Sequence, residues 1–108
     1  MYAVIYRFYL KPEKVETYKK LWDIVSEYFV SRRGALGSCL QQADDGMFVV
    51  YSRWPDKATR NASWPGEDAP SDELPDEVRQ AVIEMHACAD DSYEKLPDIE
   101  MKVLADKL

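Results

Sequence analysis

The chain has 108 residues, of which 46% are hydrophobic and 31% are charged, and its formal net charge is −6 at pH 7. This length fits one domain, residues 1–108, with a modest core and space for one small-ligand pocket, and the hydrophobic content excludes a disordered chain. The negative charge argues against nucleic-acid binding, which needs a clustered lysine and arginine face to displace counterions.

The first predicted element is a β-strand over residues 2–10, because its residues alternate between two faces. Val4, Tyr6 and Phe8 share one face, which we assign to the helices. The opposite face is also largely apolar and carries Ala3, Ile5, Arg7 and Tyr9. A chain of this length has little left to cover a second apolar face, so the pattern predicts a homodimer that packs sheet against sheet.

An amphipathic helix of about five turns is predicted after Pro12, which is tolerated in a first helical turn. Its apolar residues recur at helical spacing and are Val15, Tyr18, Leu21, Trp22, Val25, Tyr28 and Phe29. Gly34 is expected to end the helix as a left-handed cap. Trp22 lies on the apolar stripe and is therefore assigned to the core.

A β-hairpin is predicted over residues 35–54, with an Asp45-Gly46 turn signal between its two strands. This dipeptide is typical of a type I′ turn, which joins antiparallel strands. Trp54 ends the second strand and is assigned to the core. Ser52 lies on the same face of that strand and is placed to expose its hydroxyl to a pocket.

The next segment contains a short helix and a loop. Asp56 is expected to accept hydrogen bonds at the start of a helix over residues 57–64. Residues 65–74 are acidic, contain proline and lack periodicity, so we predict a surface loop and a candidate lid.

A third helix and a last strand complete the plan. Pro75 begins the helix, and its apolar stripe is Val78, Val82, Met85 and Ala89. The final strand is predicted from the alternation of Ile99, Met101 and Val103. The order of elements gives an α+β, ferredoxin-like βαββααβ fold, an antiparallel sheet with its helices on one face.

The first residues of the sequence and the two cysteines indicate the expected cellular location. Arg7 follows the start closely and no long apolar stretch succeeds it, so we expect no signal peptide, no membrane span and a cytoplasmic location. Cys39 and Cys88 lack metal-ligand spacing, which predicts two buried free thiols and no metal site.

Three segments carry a family resemblance: "YRFYLKPEK" at residues 6–14, "RRGALGSCLQQADDGMFVVYSRWPDKA" at residues 32–58, and Trp64 at the end of the following helix. Together they resemble the antibiotic-biosynthesis-monooxygenase-like proteins of the dimeric α/β-barrel superfamily. The resemblance covers nearly the whole chain. It implies a homodimer in which two sheets pack face to face, with a pocket between sheet and helices in each protomer.

The resemblance also implies a chemistry. Members of this family oxygenate aromatic substrates with molecular oxygen and without a metal or flavin cofactor, while a related branch binds and degrades haem. The haem-degrading members carry an asparagine where Tyr6 stands, and the 65–74 loop is acidic. Haem degradation is therefore disfavoured, and no cofactor is expected.

Oxygenation without a cofactor requires a base, a donor that stabilises an anion, and a dry aromatic slot. His86, the only histidine, lies between the apolar and solvent faces of the third helix and is the candidate base. The resemblance places Trp64 in the pocket, as an aromatic wall and N–H donor. Tyr6 is the candidate anion stabiliser, and Phe8 and Ser52 complete the predicted pocket.

Each candidate also has an ordinary structural interpretation, since His86 fits a boundary residue, Trp64 a core residue and Tyr6 a core or interface residue. Two functions are therefore carried forward. The first is a cofactor-independent monooxygenase of a small aromatic or quinol-like substrate, and the second is a non-catalytic dimeric module that binds a small apolar ligand. An RNA-binding domain of the same plan would need a K/R-G-F/Y-G-F motif and a basic sheet, which the sequence lacks.

Overall fold

The computed structural model describes residues 1–63 and 74–107. Its elements, in chain order, are β1 (Tyr2–Phe8), α1 (Val15–Arg32), β2 (Gly37–Gln42), β3 (Phe48–Trp54), α2 (Lys57–Ser63), α3 (Asp76–Ala87) and β4 (Ile99–Lys102). The predicted order of strands and helices is confirmed. Trp64 and residues 65–73 of the predicted loop lie outside the described ranges. No helix within those ranges is long and apolar enough to cross a membrane.

The four described strands form one antiparallel sheet in the order β2-β3-β1-β4. Strand β1 lies inside the sheet and pairs with β3 on one side and with β4 on the other. This is the strand order of a ferredoxin-like fold, as predicted. The side chains of Val4, Tyr6 and Phe8 pack with those of α1 and α3, so both helices cover the same face of the sheet.

The core lies between this face and the helices. Val4 is fully buried, and the ring of Phe8 packs against those of Tyr18 and Phe48, with ring centroids 5.1 and 6.1 Å apart. Trp54 is 4% exposed and belongs to the core cluster, while Trp22 is half-buried against it. The core assignment of both tryptophans is confirmed.

Burial of Tyr18 in the core makes the stability of the protein depend on pH at alkaline values. Burial raises the pKa of Tyr18 well above its ordinary value of 10.0. Above pH 10 the unfolded chain therefore loses this phenolic proton while the folded chain keeps it, so stability falls as pH rises. In Tyr18→Phe we expect the free energy of unfolding to fall less steeply above pH 10, by up to about 1.4 kcal/mol per pH unit. Urea unfolding at several pH values above 10 measures the slope, and an unchanged slope in the variant would contradict this expectation.

The carboxyl end of α1 has the predicted glycine cap. The carbonyl of Phe29 accepts hydrogen bonds from the N–H groups of Arg33 and Ala35, each 3.1 Å long. Gly34 between them has a φ of +81°, in the left-handed region that favours glycine. The chain can therefore leave the helix in one residue and enter β2.

Gly34 also lies close to α2, so a side chain at this position would both strain the backbone and contact α2. A Cβ atom at this position would lie 3.2 Å from the Cγ2 atom of Thr59, whereas one at Gly46, with a φ of +95°, would meet nothing within 4 Å. We expect Gly34→Ala to lower the free energy of unfolding by about 2 kcal/mol and Gly46→Ala by about 1 kcal/mol. Urea unfolding of both variants checks the order, and equal losses would exclude a contribution from the contact with Thr59.

The hairpin turn differs from the predicted type I′. That turn needs a positive φ at both central residues, but no described residue other than glycine has one. Instead, the N–H of Gly46 donates to the carbonyl of Ala43 over 2.9 Å, and within this turn only Gly46 takes the left-handed conformation. The carboxylate of Asp45 accepts from the N–H of Met47 over 3.0 Å and fixes the loop in this longer form. The predicted turn type is wrong, although the antiparallel pairing is confirmed.

Three further details differ from the sequence predictions. Helix α3 ends at Ala87, so Ala89 lies beyond it and forms an isolated bridge with Leu10. Val103 lies beyond the end of β4. The prediction that both cysteines are buried is wrong for Cys39, which is exposed because it points away from the helices on the edge strand β2.

The sheet face that points away from the helices is named the outer face. It carries the half-buried side chains Ile5, Val49, Tyr51 and Met101, and it also carries Ile99, which is 37% exposed. Two arginines on this face bond to nearby chain, Arg7 to the Pro97 carbonyl and Arg53 to the Asp106 carboxylate. The outer face is therefore partly apolar, as the alternation in β1 predicts.

Candidate functional site

A cavity of about 150 Å³, named cavity one, lies between the sheet and the helices α1 and α3. Its walls are mainly apolar and include Val25, Phe29, Val50, Trp54, Val82 and Met85. The cavity exists because the residues beneath the helices at this point are small. Ser38 and Ser52 face each other across β2 and β3, where larger side chains would fill the space.

Three of the residues predicted for the site line cavity one: Tyr6 from β1, Ser52 from β3 and His86 from α3. Phe8 does not line it, because Phe8 lies further along β1 and packs into the core. Trp64 lies outside the described residues, so its role as a pocket wall stays a prediction. The structure thus brings the candidate base and the candidate anion stabiliser to one chamber.

His86 is an exposed residue that also reaches the cavity. It lies in the last turn of α3, next to Met85 and one turn beyond Val82, both of which line cavity one. An imidazole in this position can take a proton from a molecule in the cavity and release it to solvent.

Tyr6 is held by a buried cation. The Nη2 atom of Arg60 donates a hydrogen bond to the Tyr6 hydroxyl over 3.4 Å. Burial raises the pKa of Tyr6, and the hydrogen bond from Arg60 opposes that rise only in part. The phenol therefore keeps its proton at neutral pH. Because its oxygen is the acceptor toward Arg60, that proton remains available for a hydrogen bond to a bound anion.

Arg60 itself is a residue that the sequence predictions missed. It is only 8% exposed, and its Nη1 atom lies 3.2 Å from the Glu100 carboxylate, which also accepts a hydrogen bond of 2.9 Å from the Tyr2 hydroxyl. A buried guanidinium is costly without such partners. The short α2 helix has no apolar periodicity around Arg60, so no pattern in the sequence indicates that this side chain turns inward.

Helix α2 is fixed at both ends so that Arg60 faces the sheet. At its start, the Asp56 carboxylate accepts a hydrogen bond from the N–H of Thr59 over 2.7 Å, as predicted, and this bond lowers the pKa of Asp56. At its end, the hydroxyl of Ser63 donates to the carbonyl of Arg33 over 3.1 Å.

Two serine hydroxyls form a polar spot in the otherwise apolar wall. The Oγ atoms of Ser38 and Ser52 lie 3.2 Å apart, and both residues line cavity one. Ser52 was predicted, whereas Ser38 was not, because the weak pattern of β2 gives no clear register against β3. These hydroxyls can orient an oxygen-bearing ligand against the sheet.

No family model and no curated protein matches the sequence. Solved structures do match the fold. A structure described as an antibiotic biosynthesis monooxygenase superposes with a TM-score of 0.69 at 19% identity, over 97% of this chain and 100% of that one. This chain has the fold of the antibiotic biosynthesis monooxygenases.

Other solved structures with this fold include both an oxygenase and a protein of unknown function. A mutant of a cofactor-independent oxygenase from Streptomyces nogalater matches with a TM-score of 0.69 at 10% identity, over 97% of this chain and 94% of that chain. A protein of unknown function from Nitrosomonas europaea matches with a TM-score of 0.66 at 18% identity, over 99% of this chain and 92% of that chain. The predicted resemblance is confirmed as a shared fold, and activity must be argued from the site.

Cavity one combines three chemical properties. His86 supplies a proton acceptor, Tyr6 supplies a hydroxyl donor that burial keeps neutral, and Trp54 is part of an apolar wall. Such a site can deprotonate an acidic ring position and stabilise the resulting anion with a hydrogen bond.

Proposed function

We propose that the protein is a cofactor-independent monooxygenase that oxidises a small aromatic or quinol-like substrate with molecular oxygen. The observation that carries the proposal is that one largely apolar cavity is lined by both His86 and Tyr6, a tyrosine whose hydroxyl accepts a hydrogen bond from Arg60. The sheet and α3 contribute one group each, so their separation is set by packing rather than by a loop. The shared fold supports the same class of reaction.

In the proposed reaction, His86 removes a proton from a phenol or from a methylene activated by adjacent rings. Tyr6 donates a hydrogen bond to the oxygen on which the negative charge develops, which stabilises the anion. The electron-rich anion then reduces molecular oxygen directly. For a ring methylene the balance is complete, because one oxygen atom becomes the product carbonyl and the other leaves as water with the two hydrogen atoms.

The test is oxygen consumption by the purified protein with an anthrone-type substrate, with a chelator present and no flavin added. We expect one molecule of oxygen consumed for each carbonyl formed, at a rate proportional to protein concentration. Absence of protein-dependent uptake across a panel of one- to three-ring phenols and quinols would contradict the proposal.

The second candidate is a non-catalytic module that binds a small apolar ligand. It is favoured by the mainly apolar walls of cavity one, which need no chemistry to hold a ring. This function predicts that a quinone or phenol raises the melting temperature without consuming oxygen. A thermal shift and an oxygen trace recorded on the same sample distinguish the two candidates.

We propose further that two copies of the chain pair through their outer faces. Support comes from the partly exposed apolar side chains Ile5, Val49, Tyr51 and Ile99 on that face. Light scattering should give twice the mass of the chain, and Val49→Lys should lower it toward one chain. A monomeric wild-type protein at micromolar concentration would contradict the pairing.

A further inference from the structure

Pro97 interrupts the pairing between β1 and β4. The register pairs Ile5 with Ile99, and its continuation would bring Arg7 opposite Pro97. Proline has no N–H to donate to the Arg7 carbonyl, and β4 begins only at Ile99. The Pro97 carbonyl accepts a hydrogen bond of 3.0 Å from the guanidinium of Arg7, whose own N–H is left without this partner. The pairing of β1 with β4 therefore ends at Ile5.

The β1 edge that faces β4 is paired again at Tyr9. Odd-numbered residues point their backbone groups to this side, because the carbonyl of Met1 accepts a bond of 3.0 Å from Val103. The carbonyl of Tyr9 accepts a bond of 2.9 Å from the N–H of Asp90. Among the described residues, no backbone group pairs with the N–H or C=O of Arg7 or with the N–H of Tyr9. These three groups are named the open edge.

A second cavity, named cavity two, lies beside the open edge. Its volume is about 380 Å³, and its lining includes Arg7 and Tyr9 from the edge and Tyr93 and Leu96 from the segment between α3 and β4. Ligand sites usually have volumes of about 300–1,000 Å³. Because the sheet is closed at Ile5 and again at Tyr9, about 13 Å of strand is open between them. The open edge therefore has space for an added strand of two or three residues.

The lining of cavity two carries an excess of negative charge. Its charged residues are four acids and two bases, Asp90, Asp91, Glu94, Asp98, Arg7 and Lys95. The whole chain has a net charge of −6, so both the lining and the protein attract cations and repel a carboxylate. Tyr93 stacks on Tyr9 with ring centroids 3.9 Å apart and is 52% exposed, which leaves aromatic surface open to a cation.

We propose that cavity two binds the basic amino-terminal end of a peptide, which adds two or three residues to the open edge as a short antiparallel strand. The third peptide residue exchanges two hydrogen bonds with Arg7, and the carbonyl of the first accepts from the N–H of Tyr9. This direction places the terminal ammonium group on the side of Asp90. A chain end is required because the sheet is closed on both sides of the open edge, and the acids exclude a carboxyl end.

The test is titration of the ¹⁵N-labelled protein with the tripeptide Lys-Ile-Lys, amidated at its carboxyl end. We expect the amide resonances of Arg7 and Tyr9 to shift most, and hydrogen exchange at both to slow by about tenfold or more at saturation. The amides of Tyr6 and Phe8 pair with β3 and should change little. The acetylated and amidated peptide Glu-Ile-Glu should bind more weakly by about tenfold or more.

Methylated peptides test the backbone pairing without a change of charge. A methyl group on the nitrogen of the third residue removes the N–H that donates to the Arg7 carbonyl, and we expect binding to weaken by about tenfold. The matched control carries the methyl group on the nitrogen of the second residue, which points away from β1. Its binding should stay within about twofold of that of the unmethylated peptide.

Charge reversal in the protein tests the position of the site. Asp91→Lys combined with Glu94→Lys changes two exposed acids of the lining and should weaken binding of Lys-Ile-Lys amide by about tenfold. The control combines Asp23→Lys with Glu27→Lys, which makes the same change of net charge on the exposed side of α1, outside cavity two. It should bind the peptide within about twofold of the wild-type affinity.

Equal losses in the two double variants would show attraction to the protein as a whole and would overturn the proposal. Equal binding of the two methylated peptides would overturn the strand pairing, as would unchanged hydrogen exchange at Arg7 and Tyr9. The absence of any binding at millimolar peptide would overturn the site itself. None of these measurements depends on the proposed oxygenase activity.

Discussion

Replacing His86 with alanine is expected to slow oxygen consumption with an anthrone-type substrate by about 10²–10⁴-fold, the usual contribution of a general base. His86 lines cavity one, and the histidine is the only one in the chain. Its loss removes the proposed proton acceptor while the apolar walls that hold the ring remain. Substrate affinity, measured anaerobically by fluorescence quenching, should therefore change far less than the rate.

Two controls separate a chemical role of His86 from a structural one. Glu84→Ala changes an exposed residue of the same helix that does not line cavity one, and it should leave the rate unchanged. Because His86 is exposed, imidazole added to the buffer can reach the vacated position and should restore part of the rate in His86→Ala. If His86→Ala retains the wild-type rate of oxygen uptake, another group is the base.

Replacing Trp54 with alanine is expected to lower the free energy of unfolding by about 3–5 kcal/mol, the range for a large aromatic removed from a core. Trp54 is 4% exposed, and its ring packs edge to face with that of Phe29, with centroids 6.2 Å apart. The deletion enlarges cavity one, which Trp54 lines, and the surrounding strands cannot close the added space. The midpoint of urea unfolding measures the loss.

Trp54→Phe separates packing from hydrogen bonding at the same position. The indole N–H is buried and has no hydrogen-bond partner within the described ranges, so its removal breaks no bond. We expect a loss of about 1–2 kcal/mol, well below that of alanine. Leu104→Ala is the surface control, since Leu104 is 88% exposed, and should change stability by less than about 0.5 kcal/mol. Equal losses for alanine and phenylalanine would show that the N–H matters more than the ring.

The sequence alone predicts correctly on which side of a strand or helix a residue lies, where the hydrophobic periodicity is regular. The alternation of β1 puts Tyr6 on the helix side, and the helical phase of His86 puts it at the edge of the apolar stripe, and both line cavity one in the structure. Trp22 and Trp54 were assigned only to the core, yet they also line the cavity. Periodicity shows which side a residue faces, but it cannot show where packing leaves a space.

The inward position of Arg60 and the turn at Asp45 depend on side-chain hydrogen bonds and ion pairs, which the local pattern of hydrophobic residues does not predict. Arg60 turns inward because the Glu100 carboxylate pairs with its charge and the Tyr6 hydroxyl accepts a hydrogen bond from it. Both partners lie on strands that are distant from Arg60 in the sequence. The turn type at Asp45 was mispredicted for a related reason, because a side-chain hydrogen bond to Met47 favours a longer loop. In both cases an interaction of a polar side chain overrides the hydrophobic pattern.

The strand order has a consequence for how the chain folds as it is synthesised. Of the four described strands, β1 is synthesised before the others but lies inside the sheet, so both of its edges stay unpaired until β3 and then β4 are made. Pairing across nearly the whole chain closes a large loop and slows folding. Glu100, which receives the charge of Arg60, lies on β4, so the support for Tyr6 is completed only when the last strand docks. A ribosome-bound chain that ends before β4 therefore lacks Glu100, the carboxylate that pairs with Arg60.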